Sequence, residues 1–151
     1  MLFNDLVKVL LISRCDKVDV SVLLRTLQFI RATLMEHAMQ ILVVDDDTDA
    51  ADSLAELFEM EDHEVTVAYN GTSAIAAFNE KKFDLAFMDI MMPDINGVDS
   101  FYEIRKKTPD AKVYFMTGFS TGDLVDRALE EGALGVLPKP LDPEEILTVL
   151  N

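Results

Sequence analysis

Residues 41–47 read ILVVDDD, an apolar run rich in β-branched residues that ends at three consecutive aspartates. More short apolar runs follow along the chain, and longer segments of helical period separate them. Short strands that are apolar on both faces are typical of a parallel sheet covered by helices. The strands are expected at residues 41–44, 64–68, 85–88, 113–116 and 135–137. The sequence therefore predicts an α/β fold, a doubly wound five-stranded parallel sheet in the flavodoxin-like order 2-1-3-4-5.

The segments between these strands carry the spacing and the punctuation of helices. Helices are predicted at residues 48–60, 72–79, 98–107 and 123–131. Asp47 or Thr48 is expected to cap the first of them. Turns and helix stops are expected at Asn70-Gly71, Thr108-Pro109-Asp110 and Gly132. Asp142 followed by Pro143 predicts the start of a last, short helix.

The first 39 residues differ in charge from the remainder. They hold five bases and four acids, whereas residues 40–151 hold 8 bases and 24 acids, a net charge of −16. Apolar residues recur at helical spacing at Leu23, Leu27, Ile30 and Leu34. This pattern predicts an amphipathic helix between about residues 20 and 38. We therefore predict an N-terminal extension over 1–39, which is a dimerisation or docking helix or else a mis-assigned start upstream of Met39, and a domain over 40–151.

Length and composition exclude several classes of protein. A chain of 151 residues is expected to hold one domain and a short appendage. Its formal charge of −15 opposes direct binding to nucleic acid. No apolar stretch reaches the roughly 18 residues of a membrane helix. The one cysteine, Cys15, has no partner for an intramolecular disulfide, and no signal peptide is evident. A cytoplasmic protein without a membrane span is expected.

Polar residues follow four of the predicted strands. Asp45 and Asp46 follow the first strand and Asp89 follows the third, while Thr117 and Lys139 follow the fourth and fifth. Ligands of open doubly wound sheets bind at the carboxyl ends of the strands, where the strand order reverses. Strands one and three are neighbours there, so the three carboxylates should converge.

The chemistry of such a pocket follows from its charges. Three carboxylates raise one another's pKa unless a cation compensates, and Mg²⁺ prefers carboxylate, carbonyl and water oxygens. Lys139 adds a positive charge and Thr117 a hydroxyl donor. The combination favours phosphoryl transfer to a carboxylate, with Asp89 as the nucleophile.

Each of these residues alone has a simpler structural interpretation. A run of aspartates before a helix commonly caps it, and a single Asp, Thr or Lys after a strand commonly belongs to a turn. Their joint position at one edge of one sheet favours the functional interpretation. The two histidines, His37 and His63, are expected to be exposed and to take no part in metal binding or phosphoryl donation.

Four motifs resemble those of the receiver domain of bacterial response regulators. They are residues 41–47, Met88-Asp89-Ile90-Met91-Met92-Pro93-Asp94-Ile95-Asn96-Gly97, Met116-Thr117-Gly118 and Pro138-Lys139-Pro140. The resemblance covers about residues 40–151. It implies a single-domain response regulator that is a phosphoacceptor switch with weak self-catalysed phosphotransfer and autodephosphorylation.

The same resemblance implies partners and ligands. It implies a sensor histidine kinase or phosphotransfer protein as phosphoryl donor, and an unknown downstream protein bound by the fourth helix, fifth strand and fifth helix. Mg²⁺ would be held by Asp46 and Asp89 with Asp45 assisting, and the carbonyl of Met91 would complete the protein's ligands. The Lys139–Pro140 bond is expected to be cis, as is common in such domains.

Two departures from the family pattern carry expectations of their own. Val136 stands where the family often has Tyr or Phe, so Thr117 is expected to act on the outer face of strands four and five through Phe115 or Phe119. No output domain follows and the last helix is short, which fits a stand-alone receiver or a fragment of a longer regulator.

Rival functions make different demands on the sequence. A phosphatase or phosphotransferase of the aspartyl-phosphate type needs a second acid two residues after the nucleophile, where this chain has Met91. A pseudo-receiver would lack some of the site residues. A flavin-binding protein needs a phosphate loop after the first strand, where three aspartates would repel the phosphate.

Overall fold

The computed structural model describes residues 24–26, 28, 38–118 and 122–150. The chain divides into two compact units, 1–37 and 38–151. Residues 24–26 and 28 are helical, and the rest of the helix predicted between 20 and 38 lies almost wholly outside the described residues. None of the helices in the described parts of the chain combines the length and the apolar character that a membrane span requires.

The second unit alternates strands and helices in the predicted order. The strands are β1 (Gln40–Val44), β2 (Glu64–Ala68), β3 (Leu85–Asp89), β4 (Val113–Thr117) and β5 (Gly135–Pro138). The helices are α1 (Thr48–Met60), α2 (Gly71–Glu80), α3 (Gly97–Lys107), α4 (Gly122–Glu130) and α5 (Pro143–Thr148).

The five strands form one parallel sheet in the order β2-β1-β3-β4-β5, which confirms the predicted fold class. Three strands, β3, β4 and β5, end one residue later than the apolar pattern predicts, and β1 begins one residue earlier. Asp89 and Thr117 are the last residues of β3 and β4 instead of the first residues after them. The hydrogen-bond ladder continues past them, because Ile90 N–H donates to Met116 O (3.0 Å) and Lys139 N–H donates to Thr117 O (2.7 Å).

The core lies on both faces of this sheet, as the apolar strands predict. Alternate residues of β1 and β3 point to opposite sides, and both strands are buried along most of their length. Val44, Met88 and Phe115 belong to the cluster packed under α2 and α3. Val43 and Phe87 belong to the cluster on the other face, with α1 and α5. The site residues at the strand ends are therefore held by a rigid double-sided core.

Side chains outside the apolar pattern set the helix ends. Asp47 caps α1, and its carboxylate accepts from the N–H groups of Asp49 and Ala50. Asn70, predicted in a turn, is the N-cap of α2, and Asp142 caps α5 ahead of Pro143 as predicted. Gly132 follows α4 with a φ of +90°, a left-handed conformation that favours glycine at a helix end.

One expected exposure is wrong. His63 is half-buried beside the start of β1, where its Nδ1 accepts a hydrogen bond from the backbone N–H of Met39 (3.2 Å). The predicted loop position is correct, but residues 24 positions apart in sequence meet there, which the local pattern does not reveal.

Candidate functional site

Three carboxylates meet at the carboxyl ends of β1 and β3. Asp45 directly follows β1, Asp46 comes next, and Asp89 ends β3. The two strands are neighbours in register, with Val44 opposite Met88. One carboxylate oxygen from each aspartate lies within 4.8 Å of the others. The structure thus brings together the acidic group that the strand order predicts.

Lys139 enters this group from the end of β5, on the far side of β4. Its Nζ donates to Asp45 Oδ2 (2.6 Å) and also to Asp89 Oδ2. The Lys139–Pro140 peptide bond is cis, as the resemblance implies. One ammonium group therefore joins Asp45, which lies 94 positions earlier in the sequence, to Asp89, which lies 50 positions earlier.

Backbone donors hold the second oxygen of each buried carboxylate. Asp89 Oδ1 accepts from the N–H of Met91 (2.9 Å), and Asp45 Oδ1 accepts from the N–H of Asp47 (3.0 Å). Asp45 and Asp89 are only 2% and 7% exposed, whereas Asp46 is exposed. The two buried carboxylates are therefore fixed in orientation, and the third reaches solvent.

The charges of the site do not balance. Three carboxylates face one ammonium group, so the cluster carries a formal charge of −2 when all are ionised. Burial raises the pKa of Asp89 above its ordinary value, although hydrogen bonds from Lys139 and Met91 oppose this. Burial alone would lower the pKa of Lys139, but its hydrogen bonds to Asp45 and Asp89 raise it. The lysine therefore stays positive at neutral pH, and one ammonium group faces three carboxyl groups.

This donor set fits a hard divalent cation. Carboxylate oxygens from Asp45, Asp46 and Asp89 lie close enough together to share one ion. Receiver domains bind Mg²⁺ at such an acidic pocket. Met91, implied as a carbonyl ligand, lies two residues beyond Asp89, where the structure records the hydrogen bond from its N–H.

Thr117 and Val136 lie on β4 and β5, the two strands that follow β3 in the sheet order. Thr117 ends β4, one position past Met116, which pairs with Asp89. Val136 pairs with Phe115 and is half-buried against the core. Phe115 is fully buried with its ring 5.7 Å from that of Phe101, so it lies inside the core, and the coupling of Thr117 to the outer face through Phe115 stays a prediction. Phe119 lies outside the described residues.

The loop from β3 to α3 is held tightly against Asp89, the last residue of β3. The N–H of Gly97 donates to Ile90 O (2.9 Å), which starts α3 directly beside the end of β3. A Cβ at position 97 would collide with the carbonyl oxygen of Asp89. Glycine is therefore required at this position by close backbone approach.

Asp94 anchors the other side of this loop and was missed by sequence reasoning. Its carboxylate accepts from Gly71 N–H (3.1 Å), Thr72 N–H (3.0 Å) and Thr72 Oγ1 (2.9 Å), at the N-terminus of α2. Slight burial raises the pKa of Asp94, but hydrogen bonds from Ile95, Thr72 and Gly71 outweigh it and lower the pKa to about 2. Its partners lie 22 and 23 residues earlier, so no local pattern identifies the contact.

Comparison with known proteins agrees with this geometry. The profile of the response regulator receiver domain matches residues 41–151. The chain is 37% identical over 113 residues to the transcriptional regulatory protein ZraR of Klebsiella oxytoca, a match that covers 75% of this chain but only 26% of ZraR. The chain thus spans about a quarter of that relative.

Two further proteins match this chain over nearly the whole of their own length. The chemotaxis protein CheY of Thermotoga maritima is 33% identical over 113 residues, which are 74% of this chain and 94% of CheY. A solved CheX–CheY–BeF₃–Mg²⁺ complex from Borrelia burgdorferi aligns with a TM-score of 0.68 and 26% identity, covering 72% of this chain and 84% of that one. With its sheet order, its acidic pocket and these matches, the chain belongs to the response regulator receiver domain family of two-component signalling.

Proposed function

We propose that this chain is a phosphorylation-activated response regulator that accepts a phosphoryl group from a histidine kinase on Asp89 and signals by binding a partner. The observation that carries the proposal is the joint contact of Lys139 with Asp45 and Asp89 beside the exposed Asp46. A structural ion pair needs one carboxylate for one ammonium group. The excess negative charge suits a site that receives a cation and a phosphoryl group together.

The transfer step makes one bond and breaks one. A carboxylate oxygen of Asp89 attacks phosphorus, the P–N bond to the donor's phosphohistidine breaks, and the leaving imidazole takes up a proton. Asp89 Oδ1 is held by Met91 N–H, which keeps the carboxylate in one orientation. Burial raises the pKa of Asp89 and so increases the basicity of its carboxylate.

Lys139 and Thr117 interact with the charged oxygens of the transferred group. The Lys139 ammonium, which contacts the acceptor before transfer, offsets charge on the phosphoryl oxygens, and the Thr117 hydroxyl orients one of them. Asp45, Asp46, Asp89 and the carbonyl of Met91 would hold Mg²⁺. When bound, Mg²⁺ neutralises negative charge on the phosphoryl oxygens.

The chain acts in this proposal as a switch with weak self-catalysis and not as a dedicated enzyme. Receiver domains are phosphoacceptor switches that interact with kinases or phosphotransfer proteins. Position 91, where an aspartyl-phosphate phosphatase needs its second acid, is a methionine with its side chain half exposed. No acid–base group is therefore offered at that point to speed hydrolysis of the phosphoryl group.

The face built from α4, β5 and α5 is proposed to bind the downstream partner. Leu129 on α4 is 47% exposed and Leu134, just before β5, is 49% exposed. Leu134 directly precedes β5, the strand that Lys139 follows. The Borrelia CheY in the solved complex is bound to CheX in the presence of BeF₃ and Mg²⁺, which supports partner binding by receivers of this type.

Mass spectrometry tests the acceptor directly. Incubation with acetyl phosphate and Mg²⁺ should add about 80 Da, one phosphoryl group, to the wild type and nothing to Asp89→Asn. Asp94→Asn is the matched control, since it makes the same change on the same loop without removing the acceptor, and it should still be labelled. Labelling of Asp89→Asn at the wild-type level would refute the assignment.

A further inference from the structure

A second pocket lies at the amino ends of the strands, opposite to the end that carries Asp89. It is a cavity of about 380 Å³ between the C-terminal ends of α2 and α3. Its lining includes Phe78, Phe83, Lys81, Lys82 and Lys107. Phe83 lies two residues before the start of β3, whereas Asp89 is the last residue of that strand. The five residues of β3, which span about 16 Å, therefore separate the pocket from Asp89. We call this cavity the basal pocket.

The basal pocket collects positive charge in an acidic domain. Residues 40–151 contain eight bases, and six of them lie in two short segments at this end, 81–82 and 105–112. Of the other two, Arg127 pairs with Asp99 and Lys139 belongs to the phosphoacceptor site. Three of the six, Lys81, Lys82 and Lys107, line the pocket, where they outnumber its two acids.

The lysines of the pocket are directed to neutral groups. Lys81 Nζ donates to Thr66 Oγ1 (3.0 Å) and lies 5.4 Å from the ring centroid of Phe83, while Lys107 Nζ donates to Asn79 Oδ1 (3.0 Å). Within the described residues, neither these two nor Lys82 has a carboxylate within ion-pair distance, although acids outnumber bases threefold in this domain. Helix C-termini attract cations, which explains why lysines lie there. The helix ends do not, however, supply these lysines with an anionic partner.

The pocket also has an aromatic wall. The rings of Phe78 and Phe83 meet edge to face with centroids 5.1 Å apart, and Phe83 is half-buried. An apolar wall edged by ammonium groups suits a ligand that has both an apolar side chain and carboxylates.

We propose that the basal pocket binds an acidic peptide segment of a partner protein. An apolar side chain of the segment packs against Phe83, and its carboxylates contact Lys82 and Lys107. Nucleic acid is disfavoured, because Glu80 and Asp110 also line the pocket and the −16 charge of the domain repels a continuous phosphate backbone. A short acidic segment is repelled less, because its charges end within reach of the pocket lysines instead of continuing across the acidic surface.

Nuclear magnetic resonance titration of the full chain tests this proposal. The probe is the peptide EEFEE, with QQFQQ and EEGEE as controls for its charge and for its apolar anchor. Amide shifts are expected at residues 78–83 and 107–111, and both control peptides should bind at least severalfold more weakly. Absence of shifts there at millimolar EEFEE would overturn the proposal, as would equal binding of the three peptides.

Charge-reversal variants locate the site. Lys82→Glu and Lys107→Glu should each weaken EEFEE binding by about fivefold or more, since each replaces an attraction by a repulsion. Lys106→Glu is the matched control, because Lys106 neighbours Lys107 but pairs with Glu103 and does not line the pocket. Equal weakening by all three variants would show a diffuse charge effect and contradict the pocket. Tighter binding of a short oligodeoxythymidylate than of EEFEE at the same residues would contradict the peptide assignment.

The basal pocket is independent of the proposed phosphoacceptor function. Asp89→Asn should bind EEFEE with the wild-type affinity. The wild-type protein should bind EEFEE equally well with and without acetyl phosphate. Failure of phosphorylation would leave this result unchanged. A peptide affinity that fell in Asp89→Asn would contradict a separate site.

Discussion

The threonine at the end of β4 is one residue whose substitution separates chemistry from switching. Thr117 ends β4, the strand that pairs with the one ended by Asp89. Thr117→Ala should still be phosphorylated on Asp89, but the α4–β5–α5 face should respond less. Moving a two-state equilibrium from 1:99 to 99:1 requires roughly 5.5 kcal/mol, of which a charge-assisted hydrogen bond supplies about 1.5–3 kcal/mol.

The measurement for Thr117→Ala is a pair of amide spectra with and without phosphorylation. Shift differences on the α4–β5–α5 face should shrink relative to the wild type at equal phosphorylation. Thr66→Ala removes a hydroxyl from β2, on the other side of the sheet, and should keep the full response. A full wild-type response in Thr117→Ala would exclude this residue as the relay.

The link between the β3–α3 loop and α2 is a feature of whole elements. Asp94 accepts three hydrogen bonds from the first turn of α2. Its pKa of about 2 lies below the ordinary value, so its stabilisation is full above about pH 4 and is lost as the pH falls through 2. Asp94→Asn should therefore lower the free energy of unfolding at pH 7 by about 0.5–1 kcal/mol, a small value because the carboxylate is exposed.

Urea unfolding over a range of pH measures this link. The difference between wild type and Asp94→Asn should narrow between pH 4 and pH 2. Asp126→Asn, the same change at an exposed position of α4, should match the wild type at pH 7 within a few tenths of a kcal/mol. Equal stability of Asp94→Asn and the wild type at pH 7 would show that the loop is not anchored by this charge.

The stability of the whole domain should respond to Mg²⁺. Three carboxylates repel one another around a single ammonium group, so a cation bound only by the folded state adds RT ln(1 + [L]/Kd), about 2.7 kcal/mol at a hundredfold excess over Kd. Asp89→Asn removes one repelling charge and one ligand. Without metal it should melt at or above the wild type, and with Mg²⁺ it should gain less.

Thermal melts in EDTA and in saturating Mg²⁺, at matched ionic strength, check both signs. Asp94→Asn serves as the contrast, since it should lower the melting temperature equally in both conditions. Equal wild-type melts in the two conditions would mean that the acidic pocket binds no Mg²⁺.

The domain boundary is a further prediction for the whole molecule. A chain that begins at Met39 should fold and accept a phosphoryl group as well as the full chain does, because β1 begins at Gln40. The nitrogen of Met39, which donates to His63, would remain a donor as an amino group. Circular dichroism melts and acetyl phosphate labelling measure this outcome. Failure of this chain to fold would place residues 1–38 in the core.

The sequence by itself determined the fold and the composition of the site. Short, nearly continuous apolar runs between segments of helical period predict the sheet, because burial on both faces requires apolar residues on both sides of each strand. The motifs at the strand ends predict which residues meet, since strands one and three must be neighbours in the order 2-1-3-4-5. For this reason the sequence alone identifies four residues of the site, Asp45, Asp46, Asp89 and Lys139.

The tertiary structure decided which side chains contact one another across the chain. Lys139 bonds Asp45 across 94 positions, Asp94 reaches the N-terminus of α2, and His63 is half-buried beside Met39. The ends of β3 and β4 were likewise set by backbone pairing with the neighbouring strand, which extends one residue past the apolar run. Local periodicity reports only which face of an element is buried. The partner of a polar side chain depends on the packing of distant elements, so only the folded chain reveals it.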